Sequence, residues 1–136
     1  MAPRPDLRLE AIRSLSQAGL NVRVSCAPIM PLINDSEASL EAVAAAAKEA
    51  GARGLWGGVL FLKPCASQVF FPFLEEQFPG LIRRYRTRFE HSAYLRGAYP
   101  DMIQERVARI AARYGLDRKE EDSEPWPGKQ LALFDP

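Results

Sequence analysis

The sequence has 136 residues, 47% of them hydrophobic and 26% charged, with a formal net charge of +1. That length supports one sizeable core, and near neutrality excludes a chain that binds polyanions through its global charge, leaving only local patches for that role. No apolar run approaches the roughly 20 residues that cross a bilayer, and Met1-Ala2-Pro3-Arg4-Pro5 lacks the apolar stretch of an export signal, so a cytoplasmic setting without membrane is expected.

Residues 8–62 organise the chain as helix, strand, helix, strand. Leu9, Ile12, Leu15 and Ala18 mark an amphipathic helix that Gly19 ends, since glycine takes the left-handed cap conformation without a Cβ clash. Val22 to Ala27 read as a β-branched strand ending at Pro28. A loop of Pro28 to Asp35 follows, beyond the carboxyl end of the strand, where ligands of parallel α/β proteins collect. Asn34, Asp35 or Ser36 can cap the next helix, and Asn34 with Glu37 has capping-box spacing, so helix capping competes with ligand binding as the role of Asn34. Leu40, Val43, Ala47 and Ala50 mark the second helix, which Gly51 ends.

The second strand, Leu55 to Leu62, is apolar on both faces, as a buried parallel strand should be. Gly57 and Gly58 inside it point to something approaching closely: a packed backbone, a bulge, or a ligand. Lys63 and Cys65 follow beyond its end.

From Ser67, a plausible cap, an aromatic helix carries Val69, Phe70, Phe73, Leu74 and Phe78 as a core stripe, and Pro79-Gly80 breaks it. Leu81, Ile82, Tyr85 and Phe89 form the inward stripe of the next segment, with Arg83, Arg84, Arg86 and Arg88 turned largely outward. With Tyr94, Arg96 and Tyr99 following, this basic and aromatic stretch reads either as a solvated helix face or as a surface for a nucleic-acid backbone. His91, the single histidine, has no identifiable catalytic partner, and the two cysteines, Cys26 and Cys65, lack the close spacing of a metal motif. Beyond Pro100 a last helix carries Ile103, Val107, Ile110 and Tyr114 and stops at Gly115.

From Asp117 the composition turns acidic and proline-rich, that of a flexible linker. It finishes in Gln130-Leu131-Ala132-Leu133-Phe134, a pentapeptide that resembles the Gln-Leu-x-Leu-Phe motif with which bacterial repair and replication proteins bind the DNA sliding clamp. Gln130, Leu131, Leu133 and Phe134 are the candidate partner-binding residues.

Several stretches together, Arg8 to Arg13, Ala18-Gly19, Ala27-Pro28-Ile29-Met30-Pro31 with Asn34-Asp35, and Ala50-Gly51-Ala52, resemble the latter half of radical SAM proteins of the spore photoproduct lyase-like, or DNA repair photolyase, group. Phe70 to Tyr99 and Tyr114-Gly115-Leu116 resemble that group's C-terminal extension. The resemblance implies a partial TIM-type barrel of parallel strands and crossover helices over residues 1–65, a helical extension over 66–116 and a flexible tail over 117–136. It also implies S-adenosylmethionine and a four-iron four-sulfur cluster as cofactors, with Pro28, Asn34, Gly57 and Gly58 on the S-adenosylmethionine and substrate side. Such proteins hold their cluster through Cys-x3-Cys-x2-Cys, which this chain lacks, so no cluster ligand is assigned to Cys26 or Cys65.

Two functions follow as expectations. The chain is the C-terminal portion of such an enzyme, truncated or split, inactive without a cluster-binding N-terminal half, with Arg83, Arg84, Arg86, Arg88 and Tyr94 steering a nucleic-acid substrate. Alternatively it is a non-enzymatic DNA-associated adaptor that binds the clamp through its tail.

Overall fold

The computed structural model describes residues 4–117. Its elements are α1 (Pro5–Gln17), β1 (Arg23–Ile29), α2 (Glu37–Glu49), β2 (Gly54–Val59), α3 (Pro64–Gln77), α4 (Ile82–Phe89) and α5 (Ala98–Arg113), with a 3-10 turn at Pro79–Leu81. Proline opens both α1 and α3, where its missing N–H would have had no partner. Of the three cap candidates Ser36 is the one that caps α2, its side chain accepting from the Ser39 amide at 3.1 Å, and the capping-box pairing of Asn34 with Glu37 does not form. Ser67 lies inside α3, whose cap position is Lys63.

The partial TIM-type barrel is overturned. Among the described residues the sheet has two strands, β1 and β2, paired in parallel through the α2 crossover. Past β2 the described chain runs through α3, α4 and α5 and brings no third strand to the sheet. The far edge of β2 is then taken by the chain itself: the Leu55 amide donates to the Leu116 carbonyl at 2.9 Å, and the Leu62 amide to Ala93 at 2.7 Å.

Pairing runs from Arg23 opposite Gly54 to Cys26 opposite Gly57, then shifts so that Ile29 meets Val59. The extra residue lies on β1 at Ala27-Pro28, where the peptide bond is cis, and it turns Ile29 into the core. One face of the sheet, Val24, Cys26, Leu55 and Val59, packs with Leu40, Ala44 and Ala47 of α2 and Ile103, Val107 and Ile110 of α5. The small alanines of α2 let it lie close to the strands.

A second apolar cluster forms past the carboxyl end of β2, where Leu60, Leu62, Leu74 and Tyr85 are buried and Phe70, Phe78 and Phe89 close around them. The aromatic stripe of α3 is therefore core only in part: Leu74 is fully buried, whereas Val69 is 74% and Phe73 42% exposed. Pro72 sits within the same helix. Exposed ion pairs from Glu37 and Glu41 of α2 to Arg109 and Arg113 of α5 pin the two helices that cover the sheet, each contributing at most about 1 kcal/mol. No helix among the described residues is long and apolar enough to cross a membrane.

Candidate functional site

The carboxyl ends of β1 and β2 open on the Pro28 to Asp35 loop, and that loop is held from many directions. Asn34 uses both ends of its amide: Oδ1 accepts from the Met30 amide at 2.6 Å, and Nδ2 donates to the Pro28 carbonyl at 3.2 Å. Asp35 accepts from the Leu32 amide at 2.9 Å on one oxygen and from the Tyr99 hydroxyl at 2.8 Å on the other. Tyr85 donates its hydroxyl to the Pro31 carbonyl at 2.7 Å, and the Arg106 guanidinium donates to the Asp35 carbonyl. Leu32, at φ 62°, holds a left-handed backbone that a side chain rarely adopts, so its amide bond to Asp35 fixes a costly turn.

These tyrosines stay neutral. Burial, followed by the negative charge of Asp35, pushes both the Tyr85 and Tyr99 hydroxyls above their usual range, with Asp35 also accepting the Tyr99 proton in a hydrogen bond. Both act as proton-holding donors that tie α4 and α5 to the loop. The loop is thus a preorganised wall.

Of the expected S-adenosylmethionine positions, Pro28 and Asn34 line one groove of about 570 Å³ between α1, β1 and α2, whereas Gly57 and Gly58 lie outside it. Asn34 spends its amide on its own loop. Gly57 is small because a Cβ there would lie 2.8 Å from Ile29 Cδ1 and 2.9 Å from Val107 Cγ2, and its carbonyl accepts from Gln104 Nε2 at 2.8 Å. Side chains of β1 and α5, rather than an adjacent backbone, approach that glycine. Gly58 turns to the opposite face, where a Cβ would stand 3.3 Å from that of Ala27. Pro28 occupies the bulge. Cys26 sits half-buried in the sheet, its thiol pushed up by burial, whereas Cys65 is exposed on α3. Among the described residues no three His, Cys, Asp or Glu side chains converge on a metal position. Among the described residues the donor set therefore supplies no cluster ligands, and no chemical step is derived through either cofactor.

The arginines separate. Arg83, Arg84 and Arg88 line one open depression on α4 with Thr87, and Arg88 also reaches the Tyr99 ring, 5.2 Å away. Arg86 turns elsewhere, pairing with Glu75 at 3.0 Å and lying over the Phe71 ring at 5.1 Å. Arg96 continues the cationic surface beside Arg88. Tyr94 stacks on Phe61 with ring centroids 5.6 Å apart, and both rings are about half exposed beside the end of β2. His91 is exposed, its Nε2 lying 3.7 Å from the Glu90 carboxylate. Gln130, Leu131, Leu133 and Phe134 lie outside the described residues.

Three residues that sequence reasoning did not assign to the loop, Tyr85, Tyr99 and Arg106, supply its long-range bonds, and a fourth, Gln104, ties α5 to β2 at the Gly57 carbonyl. Tyr85 carried a usable signal: a tyrosine on an inward stripe needs a partner for its hydroxyl. The others lie 47 to 71 residues from their acceptors, beyond any local pattern.

Two uncharacterized proteins from strains of Mycobacterium tuberculosis and one from Mycobacterium bovis are each 34% identical to this chain over 114 residues, covering 84% of it and 34% of the relative. The chain spans about a third of the length of the curated relatives it matches. No family model and no solved structure matches it.

Proposed function

We propose that this chain is the C-terminal portion of a radical SAM protein of the spore photoproduct lyase-like group, supplying a wall of the substrate side and none of the cluster ligands. The observation that carries this reading is the half-covered sheet. Helices α2 and α5 pack on one face, while Ser25, Ala27 and Trp56 are exposed on the other, Trp56 by 53%. Parallel sheets are stable when both faces are covered, so a bare face calls for further polypeptide, and the relatives are about three times as long as the matched region. The Ala27-Pro28-Ile29-Met30-Pro31 and Asn34-Asp35 residues that carry the resemblance form the pinned loop bordering that face.

In this reading the cluster and S-adenosylmethionine are held by the part of the longer protein outside the matched residues, where they supply radical chemistry. This chain's residues fix the loop and offer Arg83, Arg84 and Arg88 to a phosphate backbone, with nucleic acid as the substrate class. Arg86, committed to Glu75, contributes least.

The test is anaerobic reconstitution with iron and sulfide of this chain and of the longer Mycobacterium tuberculosis relative. About four irons and four sulfides per molecule are expected in the relative and none in this chain. A relative that takes up no cluster overturns the reading.

A further inference from the structure

We infer that Tyr94, backed by Phe61, is a stacking platform for one unpaired base of a single-stranded nucleic acid whose phosphates lie along Arg96, Arg88, Arg84 and Arg83. The inference rests on the reading of the arginine cluster as a nucleic-acid surface, and it specifies the form of nucleic acid that the surface takes.

The platform is built where the chain returns beside the end of β2. Tyr94 bridges to Phe61 in antiparallel sense, the Leu62 amide donates to the Ala93 carbonyl at 2.7 Å, and the Tyr94 amide donates to Ser92 Oγ at 3.1 Å. These bonds fix the backbone beneath the ring, so the ring is positioned before any ligand arrives. The Tyr94 and Phe61 rings stack with 25° between their planes and centroids 5.6 Å apart. Each covers one face of the other, and Tyr94 still keeps 54% exposure and Phe61 52%. Phe61 also borders an apolar groove with Val69 and Phe73. Tyr94 is the ring of the pair that stands next to the cations.

The cations follow from the same segment. Exposure alternates from Tyr94 through Leu95, which is 9% exposed, to Arg96. Alternate residues of an extended segment project to one side roughly 7 Å apart, so Tyr94 and Arg96 share a side. Arg96 lines one depression with Arg88 and Tyr99, and Arg88 lines the next with Arg83, Arg84 and Thr87. The guanidiniums therefore form a continuous row that ends at an aromatic face. Among the described residues Arg83, Arg84 and Arg96 form no ion pair, unlike Arg109 and Arg113, which are spent on α2.

This combination selects an unpaired base. Inside a duplex the neighbouring bases cover both faces of each base, so a protein ring reaches a base face only in a single strand or at an extruded nucleotide. A protein surface is the poorer occupant, because docking it would strip water from unpaired guanidiniums, whereas phosphates bond to them directly. Trp56 differs in this respect: it is as exposed as Tyr94, but it lies on the bare face of the sheet, where Ser25 and Ala27 bring no charge.

The experiment titrates this full chain with short oligothymidylates that carry, at each position in turn, a fluorescent purine analogue quenched by stacking. Affinity is read by anisotropy for the single strands and for the same strands annealed to their complements. The parent chain is expected to quench the analogue in the bound single strand. Tyr94→Ala should abolish the quenching and weaken single-strand binding at least about fivefold, the worth of one stacked base, while leaving duplex binding unchanged. Tyr94→Phe should restore both. Phe61→Leu, which removes the backing ring and leaves Tyr94 in place, should reduce the quenching. Arg96→Ala should lower the slope of log affinity against log salt by about one and leave the quenching at saturation intact. A single strand that binds the parent chain without quenching at any position overturns the platform with no variant needed. Quenching that survives Tyr94→Ala, or a loss shared equally by single strand and duplex, overturns it as well and leaves the arginine surface standing. Failure of this chain and of the longer Mycobacterium tuberculosis relative to bind either form refutes the nucleic-acid reading and the platform with it. The iron content of the relative decides the radical SAM reading separately.

Discussion

Replacing Tyr85 with phenylalanine isolates one bond of the loop. The side chain is 1% exposed, and its ring packs against Phe70 and Phe89, contacts that phenylalanine keeps. What is lost is the hydroxyl donor at 2.7 Å from the Pro31 carbonyl, itself part of a fully buried residue. An acceptor stranded in that position costs about 1–3 kcal/mol. With a urea dependence of about 1–3 kcal/mol per molar for a chain of this size, the unfolding midpoint of Tyr85→Phe should fall by roughly 1 M at an unchanged slope. Amide exchange at Met30 and Ile33 should accelerate more than exchange in α5, because the loop loses its tie to α4 first. A midpoint within about 0.2 M of the parent, well inside the cost of a stranded acceptor, would refute the view that this hydroxyl anchors the loop.

Gly57→Ala should destabilise by about 1–3 kcal/mol through overpacking against Ile29 and Val107, and combining it with Val107→Ala should recover part of the loss in the same urea assay. Tyr85 and Tyr99 set an alkaline limit. Their folded-state pKa values lie above the unfolded value of 10.0, so their contribution is complete below about pH 10 and is lost as pH rises through the folded-state values. Thermal unfolding should show stability falling above pH 10, with Tyr85→Phe flattening the fall. Arg83→Glu with Arg84→Glu should weaken single-stranded DNA binding by about tenfold or more and lower its salt dependence, while Arg86→Ala should change it little. Equal effects from all three arginines, read by anisotropy at two salt concentrations, would argue against the division of the cluster.

The local signals in the sequence were strong where the chemistry is local. Gly19 and Gly51 end their helices with φ of 83° and 93°, and the inward stripe of α4 is set by Tyr85 as its spacing predicts. β1 was expected to stop at Pro28, yet it continues to Ile29, since a bulge accommodates proline where the ladder is already interrupted. Asn34 was legible as a polar residue in a cap position, but its actual acceptors and donors lie within the loop, so Ser36 does the capping. The barrel expectation failed for a different reason. A helix-strand-helix-strand pattern fixes a parallel crossover but not how many strands join it, and among the described residues only two do. The bonds from Tyr99, Gln104 and Arg106 were invisible for the same reason that they matter: they join distant segments.

The central claim is that this chain completes a longer cluster-bearing protein. Its most direct test compares S-adenosylmethionine cleavage by the Mycobacterium tuberculosis relative carrying this chain in place of its matched residues with cleavage by the same relative lacking them. The account predicts that both take up iron and that added single-stranded DNA accelerates S-adenosylmethionine cleavage only in the first. Equal acceleration by DNA without the matched residues, or a chimaera that folds and holds no iron, would contradict it.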